Sequence, residues 1–347
     1  VRTDLFDFEL PADRIAQSPA DRRDESRLMV VRVGEGRWSH HRFHELPELL
    51  EPGDLIVRNN SRVLPARVTG LRVATGGRWE GLYLSSDGAG DWLILATTRG
   101  RPQPGEVVRV GQGLDLELLE SLGEGRWRVR PASDRPVPEV LETHGTVPLP
   151  PYIRKGREGP GDRERYQTIY AAIPGSVAAP TAGLHFTPEV IERLLARGIT
   201  QADVTLHVGI GTFRPIEADD IESHTLHGEW AELTPDTAEL LNVQRRSGRR
   251  ILVVGTTAAR TLETAAASGT LESPFRSIAG QTALYIRPGH RFRGLDLLLT
   301  NFHLPRSSLL VLVCALAGRE LTLAAYAEAI CEGYHFYSYG DAMLILP

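Results

Sequence analysis

The sequence predicts an α/β protein: a layered α/β domain with a largely parallel sheet, interrupted by an inserted small antiparallel β-barrel domain. Three features predict it. Strand-like and helix-like segments alternate from Val147 to the C-terminus, six short β-rich runs crowd residues 63 to 146, and the first sixty residues lack an apolar set large enough for a core of their own. The chain has 347 residues, and at roughly 150 residues per domain it has room for two. The expected division is 1–62 with 147–347 as the α/β domain and 63–146 as the barrel.

The barrel runs are Ala66–Val73, Trp79–Leu84, Trp92–Ala96, Glu106–Val110, Leu114–Leu122 and Arg126–Arg130. Gly76-Gly77, Asp87-Gly88, Pro102–Gly105 and Gly123–Gly125 separate them as turns, because glycine and proline supply the backbone angles that tight reversals need. In the α/β part, Thr187-Pro188-Glu189 starts a helix that Gly198 ends, and Thr234-Pro235-Asp236 starts another that ends at Gly248. Each start offers a capping hydroxyl, a proline at the first helical position and an acid in the first turn. Strands are expected at Asp203–Val208, Ile251–Val254, Gln281–Ile286, Asp296–Leu299 and Ala342–Leu346, and further helices at Ala258–Ser268, Ser307–Ala317 and Leu323–Glu332.

Composition excludes several classes. The net charge is −5, which argues against a protein that coats nucleic acid with a uniformly basic surface. The two cysteines, Cys314 and Cys331, are too few for a disulfide framework or a four-thiolate zinc site. Asp4, Asp7 and Glu9 stand where a secretory leader would be basic and then apolar. The longest apolar stretch, Leu309–Ala317, falls well short of the ~20 residues that span a bilayer. A cytoplasmic protein with no membrane contact is expected. Gly209-Ile210-Gly211 lacks the rest of a dinucleotide fingerprint, and no glycine-rich loop ends in Lys-Ser or Lys-Thr.

Several polar groups stand where α/β proteins place ligand contacts. Gly255-Thr256-Thr257-Ala258-Ala259-Arg260 joins an apolar strand to a helix, so exposed N–H groups, two hydroxyls and an arginine there suit a carboxylate or phosphate. A surface salt bridge for Arg260 is the competing reading. Thr300-Asn301-Phe302-His303-Leu304-Pro305 follows another apolar strand, and Tyr334–Asp341 concentrates aromatics that either stack a base or pack a core. Arg245, Arg246, Arg249 and Arg250 form one basic knot, and Arg154, Lys155, Arg157, Arg163 and Arg165 a looser one; both are candidate phosphate contacts. His224, His227 and Glu229 admit a zinc reading, but their spacing fits no familiar ligand pattern.

The chain resembles one family, the S-adenosylmethionine:tRNA ribosyltransferase-isomerases of queuosine biosynthesis. The matching stretches are Phe6–Pro11, Gly53–Leu55, Asn59–Arg67, Pro148–Ile153, Tyr166–Tyr170, Val177–Phe186, Val204–Phe213, Gly255–Thr257, Thr300–Pro305 and Ser338–Met343. They run from end to end. Departures occur at Gly77–Leu82 and at Leu226, Gly228 and Trp230. The resemblance implies an α/β domain with an inserted barrel, and transfer of the ribosyl part of S-adenosylmethionine to 7-aminomethyl-7-deazaguanine at the wobble position of a tRNA. It implies epoxyqueuosine, adenine and methionine as products, with S-adenosylmethionine as co-substrate and no metal or redox cofactor.

That chemistry needs a base at C5′ of the sulfonium substrate, a neutral attacking amine and an acid for departing adenine. On the resemblance, His207, Glu229 and His185 are the catalytic candidates, their division of labour open. Thr181, Thr256, Thr257, Arg260, Asn301, His303, Tyr337 and Asp341 are the substrate-binding candidates, with the Gly255–Thr257 turn and Arg260 expected to hold the methionine carboxylate and Tyr337 to stack a splayed base. A monomer is expected.

Overall fold

The computed structural model describes residues 1–347 except 112, 210, 212–214 and 271–272. Ile210, Thr212 and Phe213 of the glycine-rich stretch after the strand at 204 therefore lie outside the described residues. Two compact units are present. The first holds Val1–Arg62, Gln167–Ile173 and Ala179–Pro347, and the second Val63–Tyr166 with Pro174–Ala178.

The first unit is built on a nine-stranded sheet among the described residues. Its strands lie in the order Ile278–Thr282, Glu229–Leu233, Thr200–Leu206, Leu55–Asn59, Ile251–Val254, Leu297–Asn301, Ala342–Leu346, Arg27–Arg32 and Arg37–Arg42. The sheet is mixed. Thr200–Leu206, Leu55–Asn59, Ile251–Val254 and Leu297–Asn301 form the parallel centre. Ala342–Leu346 runs antiparallel to Leu297–Asn301 and parallel to Arg27–Arg32, and both edges are closed by antiparallel partners. As expected, the N-terminal residues have no core of their own and lend three strands to this sheet.

Ile251–Val254 is buried along its whole length, as a strand must be when helices cover both faces. Alternate residues then feed two cores. Leu55, Val57 and Val253 join one with the helices Pro235–Arg246, Thr256–Ala266, Ser308–Ala317 and Arg319–Cys331, while Ile56, Leu252 and Val254 join the other with Pro188–Ala196. The helix starts follow the sequence signals: Thr187, Thr234 and Ser307 each accept an N–H from the first turn, and Gly198 and Gly248 take the left-handed conformation that stops the chain. No single helix among the described residues is long and apolar enough to cross a membrane.

The second unit contains a closed antiparallel barrel of Arg126–Pro131, Trp92–Thr98, Arg78–Ser86, Arg67–Arg72, Val107–Val110 and Leu114–Gly123. All six expected runs are strands. Residues 147–166, expected with the α/β domain, fall in this unit. The reason is local pairing: Thr146 and Arg67 exchange backbone hydrogen bonds, Arg67 Nη2 donates to Leu149 O at 3.3 Å, and Val147, Leu149 and Ile153 are buried.

Trp79, Trp92, Ile94, Leu116 and Val129 fill the barrel, and Gly81 makes room for them. A Cβ on Gly81 would stand 2.2 Å from Trp79 Cη2 and 2.7 Å from Ile94 Cγ2. Overpacking of this kind costs about 1–3 kcal/mol. Gly81→Ala is expected to lower urea-unfolding stability by that amount and to change the near-ultraviolet circular dichroism of the tryptophans; an unchanged midpoint contradicts the packing described.

Candidate functional site

The parallel strands end together, and their carboxyl ends carry polar residues. In open α/β sheets this is where ligands bind, because the loops diverge there and helix N-termini point inward. A cleft opens at this edge, lined by Thr181, Gly255, Thr256, Thr257, Thr300, Asn301, His303, Tyr337 and Ser338 among others. Six of the eight substrate-binding candidates, Thr181, Thr256, Thr257, Asn301, His303 and Tyr337, thus line one cleft.

Two asparagines organise it. Asn59, at the end of its strand, accepts N–H bonds from Leu206 and Ser61 at 3.0 Å each, and donates to Leu206 O at 2.9 Å and to Thr257 Oγ1 at 3.1 Å. All four hydrogen-bonding positions of the amide are used. Asn301 accepts from Thr181 Oγ1 at 3.0 Å and donates to Tyr337 O and to His185 Nε2, both at 3.2 Å. Its two donors leave Nε2 of His185 as acceptor, so the ring proton sits on Nδ1 and is donated to Ser26 Oγ at 2.8 Å; the tautomer follows from this network. Ser26 in turn donates to Arg23 O at 3.1 Å.

His185 is buried against the Phe43 ring, with centroids 5.1 Å apart, and burial pushes its pKa down to about 4. Both ring nitrogens are engaged, and the ring does not line the cleft. His185 therefore supports Asn301 and is poorly placed for the proton transfer expected of it. His303 is likewise buried, its pKa pushed down to about 3, with ring Nε2 held 2.8 Å from Thr300 Oγ1 and its backbone N–H donated to Tyr326 Oη at 3.0 Å.

His207 differs from both, although, like His185, it lies outside the cleft lining, which takes in its neighbour Val208. It is half-buried, Nδ1 lies 2.8 Å from Ser61 Oγ, and Nε2 has no hydrogen-bond partner among the described residues. Burial lowers its pKa, with Glu232 opposing, so the ring is neutral at pH 7. The loop that follows it is held by Glu229, whose Oε1 accepts Gly209 N–H at 2.7 Å. The other carboxylate oxygen of Glu229 is paired with Arg260 Nη1.

This pair alters two expectations. Arg260 does not line the cleft: its guanidinium is committed to Glu229, to Leu284 O at 2.9 Å and to Thr282 O at 3.4 Å. It is not available for a substrate carboxylate. Glu229, paired with a buried guanidinium, positions the 207–209 turn. Asp341 also lies outside the cleft lining; it accepts the backbone N–H groups of Arg27 at 2.7 Å and His335 at 2.8 Å, and burial pushes its carboxyl pKa up. It pins the turn that carries Tyr337. That residue, itself buried, adopts a left-handed φ of 76°, a conformation that costs a non-glycine residue about 1–3 kcal/mol and clusters at functional sites.

The first basic knot lies at the opposite end of the sheet. Arg250 precedes the strand whose far end is Gly255. Arg245 is bound to Asp296 at 2.6 and 2.7 Å, Arg246 to Glu239 at 2.6 Å, and Arg250 to Asp54 and Glu51. Of the four, Arg249 alone has no carboxylate partner among the described residues. The knot is mainly a set of ion pairs that staple the strand starts, not a free cationic patch. In the second unit, Arg154 pairs with Asp162 while Lys155 is exposed, and both have left-handed φ. His224 stacks edge-on to Tyr285, and among the described residues no three His, Cys, Asp or Glu side chains are grouped as a metal site.

Sequence reasoning passed over Asn59, Ser61 and Ser26 as site residues. Asn59 and Ser61 carried a signal, a polar Asn59-Asn60-Ser61 run directly after the apolar strand. Ser26 carried none, since it meets His185 only through the fold.

Fold and site define an α/β protein with a polar ligand cleft at the strand ends and a separate closed barrel. Comparison with known proteins then places it: the chain belongs to the queuosine biosynthesis protein family, whose model matches residues 3–345. It is 50% identical over 343 residues to the S-adenosylmethionine:tRNA ribosyltransferase-isomerase of Desulfitobacterium hafniense, with 98% of each chain covered. It is 49% identical to the protein of that name from an Anaeromyxobacter species, over 100% of this chain and 99% of the other. The crystal structure of S-adenosylmethionine tRNA ribosyltransferase from Thermotoga maritima matches with a TM-score of 0.56 at 34% identity, covering 99% of this chain and 100% of that one.

The buried histidines give a pH prediction. Their folded pKa values lie below the unfolded value near 6.5, so as pH falls the unfolded chain takes up protons that the folded chain refuses. Stability is full above ~6.5 and is lost toward pH 4, at about 1.4 kcal/mol per pH unit for each such histidine. His185→Gln is expected to make urea-unfolding stability less pH-dependent between pH 6 and 4.5. An unaltered slope would show that His185 titrates normally in the folded state.

Proposed function

We propose that this chain transfers and isomerises the ribosyl moiety of S-adenosylmethionine onto 7-aminomethyl-7-deazaguanine at the wobble position of a tRNA, giving epoxyqueuosine and releasing adenine and methionine. The observation that carries the reading is full-length identity of 45–50% to relatives named for this activity.

The cleft supports it chemically. The helix Thr256–Ala266 starts in the cleft without a side-chain cap, so its first N–H groups and positive dipole end favour an anion. The Thr256 hydroxyl, on a residue only 6% exposed, has no hydrogen-bond partner among the described residues. The methionine carboxylate of the substrate fits there, with no need of Arg260. The sulfonium acidifies the adjacent C5′ protons, so a neutral imidazole is base enough. His207, with Nε2 open and a lowered pKa, takes that role and the later deprotonation of the attacking amine. Glu229 and Arg260 hold its loop; Ser61 holds its ring.

Tyr337, at the cleft wall, offers the aromatic face for a base extruded from the anticodon loop. The overall transfer is redox-neutral and the sulfonium is its own activated leaving group, so S-adenosylmethionine serves as co-substrate without a metal or redox cofactor. A cytoplasmic site of action accompanies the reading, since tRNA is the acceptor, and the chain is taken to act as a monomer.

The test is to incubate the purified chain with S-adenosylmethionine and an anticodon stem-loop bearing the aminomethyl-deazaguanine. Free adenine and a ribosyl-sized mass gain on the RNA are expected, and their absence with folded protein overturns the proposal. His207→Gln is expected to lower kcat by about 10²–10⁴ with KM for S-adenosylmethionine little changed; an undiminished kcat removes His207 from the chemistry.

A further inference from the structure

We propose that the outer face of the barrel carries a contact for the sugar-phosphate backbone of the tRNA, formed by Arg78 and Arg99 beside the exposed Leu71 and Val73. It rests on the reading above that the substrate is a tRNA. A groove on this face is lined by Leu71, Val73, Arg78, Arg99 and Arg109.

The strand register fixes the arrangement. Leu71 is paired with Arg78 on one side and with Arg109 on the other, and directly paired residues share a face of a sheet. Trp79 fills the interior at 2% exposure, so Arg78 points outward, as does Leu71 at 52% exposure. Trp79 is paired with Thr98, which sets Arg99 beside Arg78 across the ladder. Arg99 is the first residue past the end of its strand, so the two arginines stand at neighbouring positions of the ladder's end, and neither has a carboxylate partner among the described residues. The nearby carboxylates are committed elsewhere: Glu80 to Arg67 at 2.6 Å, Glu106 to Arg72 at 2.8 Å and Asp115 to Arg109 at 2.9 Å.

General basicity does not explain the stripe. The chain carries a net charge of −5, and residues 61–150 hold eleven basic and eleven acidic residues that cancel. Uncompensated like charge in a groove is stabilised by an anionic partner, and guanidinium matches phosphate bidentately. Leu71 and Val73, each 52% exposed, offer apolar surface on which ribose and base faces pack. A polyanion that also carries ribose and base faces meets all of these demands; an acidic protein segment meets only the first.

The experiment uses the full chain and a fluorescently labelled tRNA carrying the aminomethyl-deazaguanine, with affinity measured by anisotropy from 50 to 300 mM salt. Arg78→Gln/Arg99→Gln is expected to weaken binding at least tenfold at low salt and to reduce the slope of log K against log salt by about 0.7–0.9 per lost phosphate contact. Arg78→Lys/Arg99→Lys is expected to retain most of the slope. The KM for S-adenosylmethionine and kcat at saturating tRNA stay at wild-type values. Unchanged affinity and slope in the Gln variant, with wild-type tRNA binding and adenine release intact, overturn this contact alone. So does a change confined to oligomeric state, which would mark the face as a protein contact. A wild-type chain that neither binds tRNA nor releases adenine overturns the parent reading.

Discussion

Two buried amides hold the functional edge of the α/β unit together. Asn59 and Asn301 end the two strands that flank Ile251–Val254, and both are almost fully buried. A buried amide left unpaired costs about 1–3 kcal/mol, so each fixes whatever satisfies it. Asn59 fixes the end of the Thr200–Leu206 strand, the Ser61 turn and Thr257; Asn301 fixes Thr181, His185 and the Tyr337 carbonyl. Cleft walls that come from five separated parts of the chain thereby acquire one geometry. The strained backbone of Tyr337 is held from both sides, by Asn301 on its carbonyl and by Phe302 O on its N–H at 3.0 Å.

The buried Glu229–Arg260 pair extends this frame to the loop beyond His207. A buried ion pair gains little net stability, because desolvation offsets most of the attraction, but removing one partner is costly. Its contribution here is geometric. The guanidinium also binds two backbone carbonyls of the 282–284 segment, and the carboxylate binds Gly209, so helix, edge strand and loop are set in register. The histidine that stands between these two frames is His207, half-buried and with Nε2 open. His185 is structural by the same reasoning: it is neutral, and both its ring nitrogens are occupied.

Much of this was legible in the sequence. The six barrel runs, the helix starts at Thr187, Thr234 and Ser307, and the apolar strands Ile251–Val254 and Ala342–Leu346 follow from local chemistry. The cleft candidates after Val254 and Leu299 were legible because polar residues at the ends of apolar strands have few other uses. What could not be read was pairing. Arg260 looks like a free anion ligand until Glu229, thirty-one residues away, is seen to occupy it. The arginines near Gly248 look like a phosphate patch until Asp54, Glu239 and Asp296 are seen to neutralise them. Residues 147–166 read as part of the α/β domain because their attachment to Arg67 is non-local.

The most direct test of this account is a crystal structure of the chain with a non-reactive S-adenosylmethionine analogue. The account predicts the analogue in the cleft at the strand ends, its carboxylate on the N–H groups and hydroxyl at Thr256 and Thr257, its sulfur side toward His207, and Arg260 still bound to Glu229. An analogue seated elsewhere, or a carboxylate held by an Arg260 that has left Glu229, would contradict it.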